Sequence, residues 1–377
     1  MTEAPGFLLY IGAFLLLLGP LVFVHEFGHY AAGRWFGVKA EEFSIGFGRE
    51  IAGFTDRRGT RWKFGWLPLG GYVRFAGDMN PASQPTAEWL QLPPSERAKT
   101  FQAKPLWQRA IIVAAGPFIN FVLAILILAV FALAFGQPST PSVVREVLPA
   151  SAAARAGMQA GDRITALGGR SIDTFEEVSK FAIMRPGERV AIDLDRAGQQ
   201  ISTTVTFGSR EERDRFGNVY RIGVLGVASG QQVWQRVSPL KAPLIGIRDT
   251  ARAVQRTADG LGQIISGRRS VKELGGPLQI AKVSGERLSL GFAEFIYLAA
   301  FISINLGFIN LLPVPVLDGG HLMFYAVEAV RRRPASPQAM EWAFRGGLAA
   351  ILALMLLVTF NDLGAFGVWH GLAGLIG

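Results

Sequence analysis

Four apolar stretches of the chain have about the length that a helix needs to cross a membrane. They are residues 6–24, 110–135, 296–317 and 346–360. A transmembrane helix takes about 20 predominantly apolar residues. The fourth stretch is the shortest, and the apolar tail at 363–377 either extends it or lies at the membrane interface. The pattern predicts a multi-pass α-helical membrane protein with about four transmembrane helices.

Between the second and third stretches the pattern changes to that of an α+β module at 143–228. Alternating apolar residues predict strands at 143–147, 164–167, 190–194 and 201–207, with a hairpin turn at Ala197-Gly198. Helical spacing predicts helices at 152–157 and 175–183. We therefore expect a soluble domain inserted between transmembrane helices.

An amphipathic helix is predicted after this module, between residues 240 and 265. Its apolar residues recur every three or four positions, and Arg248, Arg252 and Arg256 fall outside the apolar stripe. Such a helix lies on a membrane surface or packs its stripe on a neighbouring domain, here the α+β module. The pattern does not choose between these two positions.

Composition and charge suit a membrane protein with a soluble part. Of the 377 residues, 50% are hydrophobic and 18% are charged, and none is cysteine. The lack of cysteine excludes disulfides, Cys-ligated zinc, iron–sulfur clusters and thiol nucleophiles. Basic residues concentrate between the first two apolar stretches and again at 331–345. Because Lys- and Arg-rich loops stay in the cytoplasm, the module is expected on the opposite side, and the net charge of +9 needs no nucleic acid partner.

The first apolar stretch ends in His25-Glu26-Phe27-Gly28-His29, an H-E-x-x-H sequence. Positions i and i+4 of a helix share a face, so both imidazoles can reach one metal ion with Glu26 beside them. Catalytic zinc sites have three protein ligands plus water, so a third ligand must come from elsewhere. Ionisable residues inside a membrane are functional candidates by default. The alternative is an ordinary polar helix end just outside the membrane.

Asp318 and His321, at the end of the third apolar stretch, compete for the role of third ligand. The preceding segment contains Pro313 and Pro315, which interrupt a helix and leave carbonyls to be satisfied by protein or cavity water. A broken helix beside an intramembrane carboxylate is suited to a buried site. Spacing alone does not decide between the two residues.

Three motifs together resemble the site-2 protease family of intramembrane zinc metalloproteases. They are residues 25–29, Gly116-Pro117-Phe118-Ile119-Asn120, and 310–320 with its Leu317-Asp318-Gly319. Their order is similar to that of the RseP type, the regulator of sigma-E protease. Within the insert, residues 156–164 and 168–172 resemble the PDZ domains of bacterial proteases, which bind an extended peptide as an added strand. The RseP type has two tandem PDZ domains, whereas this insert has room for one.

The resemblance implies one Zn²⁺ per chain, held by His25, His29 and Asp318, with Glu26 as general base. It also implies that Asn310 and Pro313 hold substrate, and that a loop containing Gly71, Tyr72 and Val73 re-enters the membrane and adds the substrate as a strand. Segments 62–66 and 70–75 are predicted to form the hairpin of this loop; a folded cytoplasmic loop is the alternative. Gly116 and Asn120 are expected near the site, where they permit close helix packing.

The chain is therefore expected to divide into eight segments. They are a first transmembrane helix with H-E-x-x-H (1–31), a cytoplasmic loop with the re-entrant hairpin (32–107), a second transmembrane helix (108–136), a periplasmic PDZ domain (137–228), a periplasmic amphipathic helical region (229–292), a third transmembrane helix with Leu317-Asp318-Gly319 (293–330), a basic cytoplasmic loop (331–345), and a fourth transmembrane helix with its tail (346–377).

The function that the resemblance implies is regulated intramembrane proteolysis in the bacterial inner membrane. Its substrates are single-span proteins already trimmed outside the membrane, such as an anti-sigma factor or remnant signal peptides. The expected partners are these substrates, the lipid bilayer, and a peptide or substrate ectodomain at the PDZ domain. The alternative is a non-catalytic membrane adaptor that keeps the metal as a structural element. Glu26 argues against the adaptor, because a structural metal site needs no base.

Overall fold

The computed structural model describes residues 6–77, 91–213, 219–271 and 275–365. The chain separates into two compact units: residues 132–239 form the inserted unit, and the segments before and after them form the helical unit. The end of the apolar tail expected to extend the fourth helix, residues 366–377, lies outside the described residues.

The described residues contain ten helices and twelve strands. The helices are α1 (Phe7–Trp35), α2 (Pro94–Arg97), α3 (Leu106–Phe135), α4 (Ala152–Arg155), α5 (Phe175–Ile183), α6 (Ala242–Ile265), α7 (Pro277–Leu290), α8 (Phe292–Asn310), α9 (Asp318–Arg331) and α10 (Pro337–Ala365). The strands are β1 (Ala40–Thr55), β2 (Arg61–Phe75), β3 (Gln137–Ser139), β4 (Val144–Val147), β5 (Arg163–Leu167), β6 (Arg170–Ser171), β7 (Arg189–Arg196), β8 (Gln199–Thr206), β9 (Gly208–Arg213), β10 (Val219–Val224), β11 (Val227–Ser229) and β12 (Val233–Gln235).

Four helices in the described part of the chain are long and apolar enough to cross a membrane. They are Leu8–Trp35, Leu106–Phe135, Phe292–Asn310 and Pro337–Gly364. The last begins at Pro337, inside the segment expected to be a basic loop, and Arg345 within it pairs with Glu341 one turn earlier. The protein is therefore a membrane protein with several apolar helices.

The third apolar stretch is not one continuous helix. Helix α8 ends at Asn310, residues 311–317 are irregular, and α9 begins at Asp318. Pro313 and Pro315 lie in this break, where they have no N–H to donate to a preceding turn. The break separates the membrane-spanning part of the stretch from the helix that begins with the acidic residue.

The amphipathic helix α6 packs on α3 and α8, a position that neither sequence-based alternative included. Ala253 and Val254 of α6 pack against a buried cluster formed by Ala124, Ala300 and Ile304. Farther along, the Thr257 hydroxyl donates a 3.0 Å hydrogen bond to Oδ1 of Asn305. This face of the helix therefore contacts the transmembrane helices, whereas most of the predicted apolar stripe, including Leu244, Ile247 and Ile265, is exposed.

Strands β1 and β2 form a sheet of four segments. Residues 42–45 of β1 pair with 71–74 of β2 on one side and with 61–64 on the other, and 61–64 pair also with 52–55. The predicted hairpin between 62–66 and 70–75 is therefore wrong, because the two segments lie on opposite sides of 42–45. Gly46 and Gly65 permit this arrangement: a Cβ on Gly46 would lie 2.8 Å from the Gly65 carbonyl oxygen. Segment 71–74 is left at an edge of the sheet.

The inserted unit is an α+β fold, as the alternating pattern predicted. Its largest sheet has the strand order β6-β5-β7-β8, and α5 occupies the predicted residues 175–183. The turn between β7 and β8 is at Ala197 and Gly198, both with positive φ, which confirms the predicted hairpin. The inward residues of these strands, among them Ile164, Ile192 and Leu194, are fully buried.

A buried ion pair ties β7 to the loop before β5. The Asp162 side chain is 0% exposed. The Arg196 guanidinium donates to both of its oxygens, at 2.7 and 2.8 Å, and the Gln159 amide donates at 2.8 Å. The hydrogen bonds from Arg196 outweigh the opposing effect of burial, and with the Gln159 amide they hold the pKa of Asp162 below its ordinary value.

Loss of this pair should destabilise the inserted unit in a pH-dependent way. Because the pKa of Asp162 is lowered on folding, its stabilising contribution is present above the unfolded pKa of about 3.9 and is lost as the pH falls through the folded value. We expect Asp162→Asn to reduce the free energy of unfolding of the unit by about 2 kcal/mol at pH 7, and by progressively less below pH 4. Hydrogen exchange of β7 and β8 in the full-length protein, corrected for intrinsic rates, measures the difference.

The matched control is Glu176→Gln, since the Glu176 side chain is 65% exposed and its ion pair with Lys180 is on the surface. Exchange protection of Asp162→Asn equal to that of the wild type at pH 7 would contradict the assigned role.

Candidate metal centre and active site

Three side chains from two distant parts of the chain converge in the helical unit. His25 and His29 lie one turn apart on α1, and Asp318 is the first residue of α9. Nε2 of His25 is 3.3 Å from Nε2 of His29, and Oδ2 of Asp318 is 3.2 and 3.5 Å from these two nitrogens. Among the residues that the structure describes, this is the one group of three His, Asp or Glu side chains close enough to share a metal ion.

The chemistry of the group fits a metal ion. Oδ2 of Asp318 is buried and has no hydrogen-bond partner of good geometry among the described residues. A buried acceptor in that condition is costly unless something binds it. Two imidazole nitrogens and one carboxylate oxygen are ligands that zinc accepts, and three protein ligands are the number that a catalytic zinc site has.

The break between α8 and α9 brings Asp318 to the imidazoles. The irregular segment folds back over the start of α9, so that a side chain at Gly319 would collide with the carbonyl oxygens of Leu311 and Leu312. Farther along, Glu328 of α9 accepts a 2.9 Å hydrogen bond from Arg109 at the start of α3. Helix α9 is thus held at its first turn by the irregular segment and farther along by α3.

Glu26 lies beside the histidines on the wall of a cavity of about 590 Å³. Its carboxylate accepts a hydrogen bond from the backbone N–H of Val73. Gly71, on the same strand segment, comes so close that an added Cβ would lie 2.9 Å from Cγ of Glu26. The sheet edge at 71–74 therefore positions the carboxylate next to the three converging side chains.

A second carboxylate, that of Glu42 on the paired strand segment, holds this edge through Tyr72 and Arg74. Glu42, on the neighbouring strand segment, accepts hydrogen bonds from Lys63 at 2.7 Å and from the Tyr72 hydroxyl at 2.9 Å, and it pairs with Arg74 at 2.7 Å. Burial raises the pKa of Glu42, but these partners together hold it below its ordinary value. The edge that faces Glu26 is thus fixed by an ionised group.

The structure brings most of the residues singled out in the sequence to one cavity. Its lining includes the three converging residues and also Glu26, Asn310, His321, Gly71, Tyr72 and Val73. His321 is not part of the group of three. Pro313 is not among the lining residues and belongs to the break before α9.

Helix α3 contacts both histidines through residues spaced by four. Nδ1 of His29 donates a 2.9 Å hydrogen bond to the carbonyl oxygen of Ile112, and Nδ1 of His25 is 3.0 Å from the amide nitrogen of Asn120. Gly116 lies between them, and a Cβ there would collide with the His29 ring. The sequence indicated Gly116 and Asn120 but not Ile112, because a backbone carbonyl leaves no signal in the residue type.

Comparison with known proteins agrees with this geometry. Residues 13–354 match peptidase family M50. The Agrobacterium fabrum protein named "Putative zinc metalloprotease Atu1380" is 45% identical over 369 residues, which cover 96% of this chain and 98% of that protein. The protein named "Metalloprotease MmpA" from Caulobacter vibrioides is 36% identical over 395 residues, covering 98% of this chain and 99% of that protein.

Solved structures match the chain over a smaller part. The PDZ domain of the SdrC-like protein from Listeria monocytogenes aligns with 19% identity and a TM-score of 0.19, over 23% of this chain and 84% of that domain.

A side chain at position 116 should disturb the metal centre. We expect Gly116→Ala to displace the His29 ring and to weaken zinc binding at least tenfold, as the loss of an orienting contact does in other zinc sites. The measurement is the zinc content of purified protein after equilibration with a chelator of known affinity. Gly19→Ala on α1 is the control, because nothing lies within 4 Å of a Cβ at that position. Equal zinc affinity in both variants would contradict the expected displacement.

Proposed function

Because the chain belongs to peptidase family M50, the site-2 protease family, and is a zinc metalloprotease, we propose that it cleaves peptide bonds within or near the transmembrane segment of single-span proteins. The observation that carries this proposal is the convergence of Asp318 with His25 and His29. The two histidines lie on one helix that can cross a membrane, and Asp318 follows the break after a second such helix.

We propose that His25, His29 and Asp318 hold one Zn²⁺. The distances of 3.2 to 3.5 Å among their ligating atoms support this set. His321 is the less favoured third ligand, because it lines the cavity without joining the group. When bound, zinc supplies Lewis acidity that lowers the pKa of a water molecule to about 7 and polarises the scissile carbonyl.

Glu26 is proposed as the general base and then the general acid. Its carboxylate would take a proton from the attacking water as the carbon–oxygen bond forms. It would return that proton to the leaving amine as the carbon–nitrogen bond breaks. The hydrogen bond from Val73 and the contact with Gly71 support this role, because they hold the carboxylate beside the proposed ligands.

The sheet edge at 71–74 is proposed as the surface that holds the substrate. A transmembrane substrate must unwind before its peptide bonds can be attacked, and its backbone groups then need partners. The edge offers N–H and carbonyl groups for strand addition, in the wall that also contains Glu26. Tyr72 and Asn310 line the same cavity and would contact side chains of the bound segment.

We propose that the basic loops face the cytoplasm of a bacterial inner membrane and that the inserted unit is a periplasmic PDZ domain. Lys and Arg residues concentrated between α1 and α3 favour this orientation. Trp35, at the end of α1, and Trp107, at the start of α3, are exposed, as in the aromatic belts at membrane interfaces. On that side the PDZ domain would admit substrates whose ectodomains have already been trimmed, as regulated intramembrane proteolysis requires.

The first test separates catalysis from metal binding. The probe is a synthetic single-span protein with a short ectodomain, reconstituted in liposomes with the full-length chain. We expect Glu26→Gln to keep one equivalent of zinc and to lower the rate of cleavage by about 10³-fold, because general acid–base catalysis is lost. Asp318→Asn should lose zinc. Mass spectrometry of the products and metal analysis of the same samples provide both readouts.

The matched control is Glu294→Gln, whose carboxylate is exposed at the start of α8 and pairs with Arg287. Full zinc occupancy in Asp318→Asn would move the third ligand to His321. Undiminished cleavage by Glu26→Gln would rule out its role as base, and probe binding without any product from the wild type would favour the adaptor.

The second test addresses the position of the base. We expect Gly71→Ala to reduce kcat by about 10²-fold with zinc content unchanged, because its methyl group would collide with the Ser44 carbonyl oxygen and with Cγ of Glu26 and so displace the Glu26 carboxylate. Gly12→Ala, on α1, has open space around its Cβ and should cleave at the wild-type rate. A normal kcat in Gly71→Ala would show that contact with the edge does not position the carboxylate.

A further inference from the structure

The proposed metal site places a requirement on the far side of each imidazole. A neutral imidazole carries one proton, so a histidine that binds a metal through Nε2 must carry that proton on Nδ1. The N–H of Nδ1 then needs an acceptor, which also fixes the orientation of the ring. For His29 the acceptor is the carbonyl oxygen of Ile112, at 2.9 Å.

The group that faces Nδ1 of His25 is the side-chain amide of Asn120. Asn120 is 0% exposed, and its amide nitrogen is 3.0 Å from Nδ1. In this orientation the amide donates, so the ring proton is on Nε2, 3.2 Å from the Asp318 carboxylate. Oδ1 of Asn120 has no hydrogen-bond partner within the described residues. A metal bound through Nε2 would instead place the ring proton on Nδ1, where Oδ1 of Asn120 would have to accept it.

An asparagine can serve both states of the site because its amide has a donor and an acceptor of nearly the same size. A half-turn of the amide exchanges Oδ1 and Nδ2 without moving the helix. The backbone of Asn120 is held separately, since its carbonyl oxygen accepts a 2.8 Å hydrogen bond from the Ser303 hydroxyl. An aspartate would supply the acceptor only and would add a negative charge near Glu26 and Asp318, and a leucine would supply neither.

We infer that Asn120 is a positioning residue for His25, whose side-chain oxygen accepts the Nδ1 proton and so directs the Nε2 lone pair to the metal. This inference rests on the proposed metal site. It gives α3 a specific part in that site: one helix orients both imidazoles, through a backbone carbonyl at Ile112 and a side-chain amide at Asn120.

The test measures metal affinity and needs no substrate. Full-length protein is stripped of metal and titrated with Zn²⁺ against a chelator, and with Co²⁺ while the absorption spectrum is recorded. We expect Asn120→Leu, which keeps the number and branching of the side-chain heavy atoms and removes the hydrogen bond, to bind Zn²⁺ about 10- to 100-fold more weakly and to alter the Co²⁺ spectrum. Asn120→Asp, which keeps the acceptor, should bind within about threefold of the wild type.

Asn305→Leu is the matched control. Asn305 is also an asparagine of a transmembrane helix, but it bonds Thr257 and the carbonyl of Phe301, away from the histidines. Its replacement should leave Zn²⁺ affinity and the Co²⁺ spectrum unchanged. If packing alone explained Asn120, its leucine variant would behave in the same way as this control.

A second measurement uses the wild type and so does not depend on the folding of a variant. Histidine ¹⁵N spectra of the zinc-loaded protein, assigned with His25→Gln, should show a protonated Nδ1 in His25. An unprotonated Nδ1, wild-type affinity in Asn120→Leu, or equal losses in the aspartate and leucine variants would each overturn the inference. Failure of the wild type to bind zinc would instead overturn the proposed site.

Discussion

The helical unit depends on one electrostatic constraint: one oxygen of the Asp318 carboxylate, Oδ2, is buried beside two imidazoles in an apolar part of the protein. A charged oxygen in such surroundings is costly unless cations or donors satisfy it. The fold brings the three side chains together from separate elements, since α1 supplies both histidines and the break before α9 supplies the carboxylate. This convergence leaves Oδ2 of Asp318 without a hydrogen-bond partner of good geometry among the described residues, and a metal ion held by the three side chains would satisfy it.

Close approach of backbones is the means by which these elements meet. Gly116 leaves space for the His29 ring, Gly71 for the Glu26 side chain, and Gly319 for the carbonyls of the broken segment. Small residues have this role at helix interfaces in membranes, where no hydrophobic force between helices draws them together. The backbone then contributes contacts of its own, because the carbonyl of Ile112 orients His29 and the N–H of Val73 bonds Glu26.

The sequence was a good guide to features that repeat along the chain and a poor guide to those that join distant segments. Apolar length indicated the helices that can cross a membrane, and alternation indicated β7, β8 and their turn. The sheet of β1 and β2 was misread, because the partner of 71–74 is segment 42–45, whose pairing no local pattern reveals. Helix α6 was recognised, but the face that packs on α3 and α8 is not the apolar stripe that the spacing indicated, most of which is exposed. The H-E-x-x-H spacing singled out His25, Glu26 and His29. Asp318 was a candidate as an ionisable residue at the end of an apolar stretch, and only the family resemblance favoured it over His321.

One further consequence follows from the contacts of α3. Within about three helical turns this helix binds Glu328 through Arg109, His29 through Ile112 and His25 through Asn120. Each added or deleted residue would rotate the later contacts by about 100° relative to the earlier ones. The number of residues from 109 to 120 therefore sets the relative positions of these three contacts. A substitution on the outward face of this segment would leave them in place, whereas an insertion or deletion would separate them.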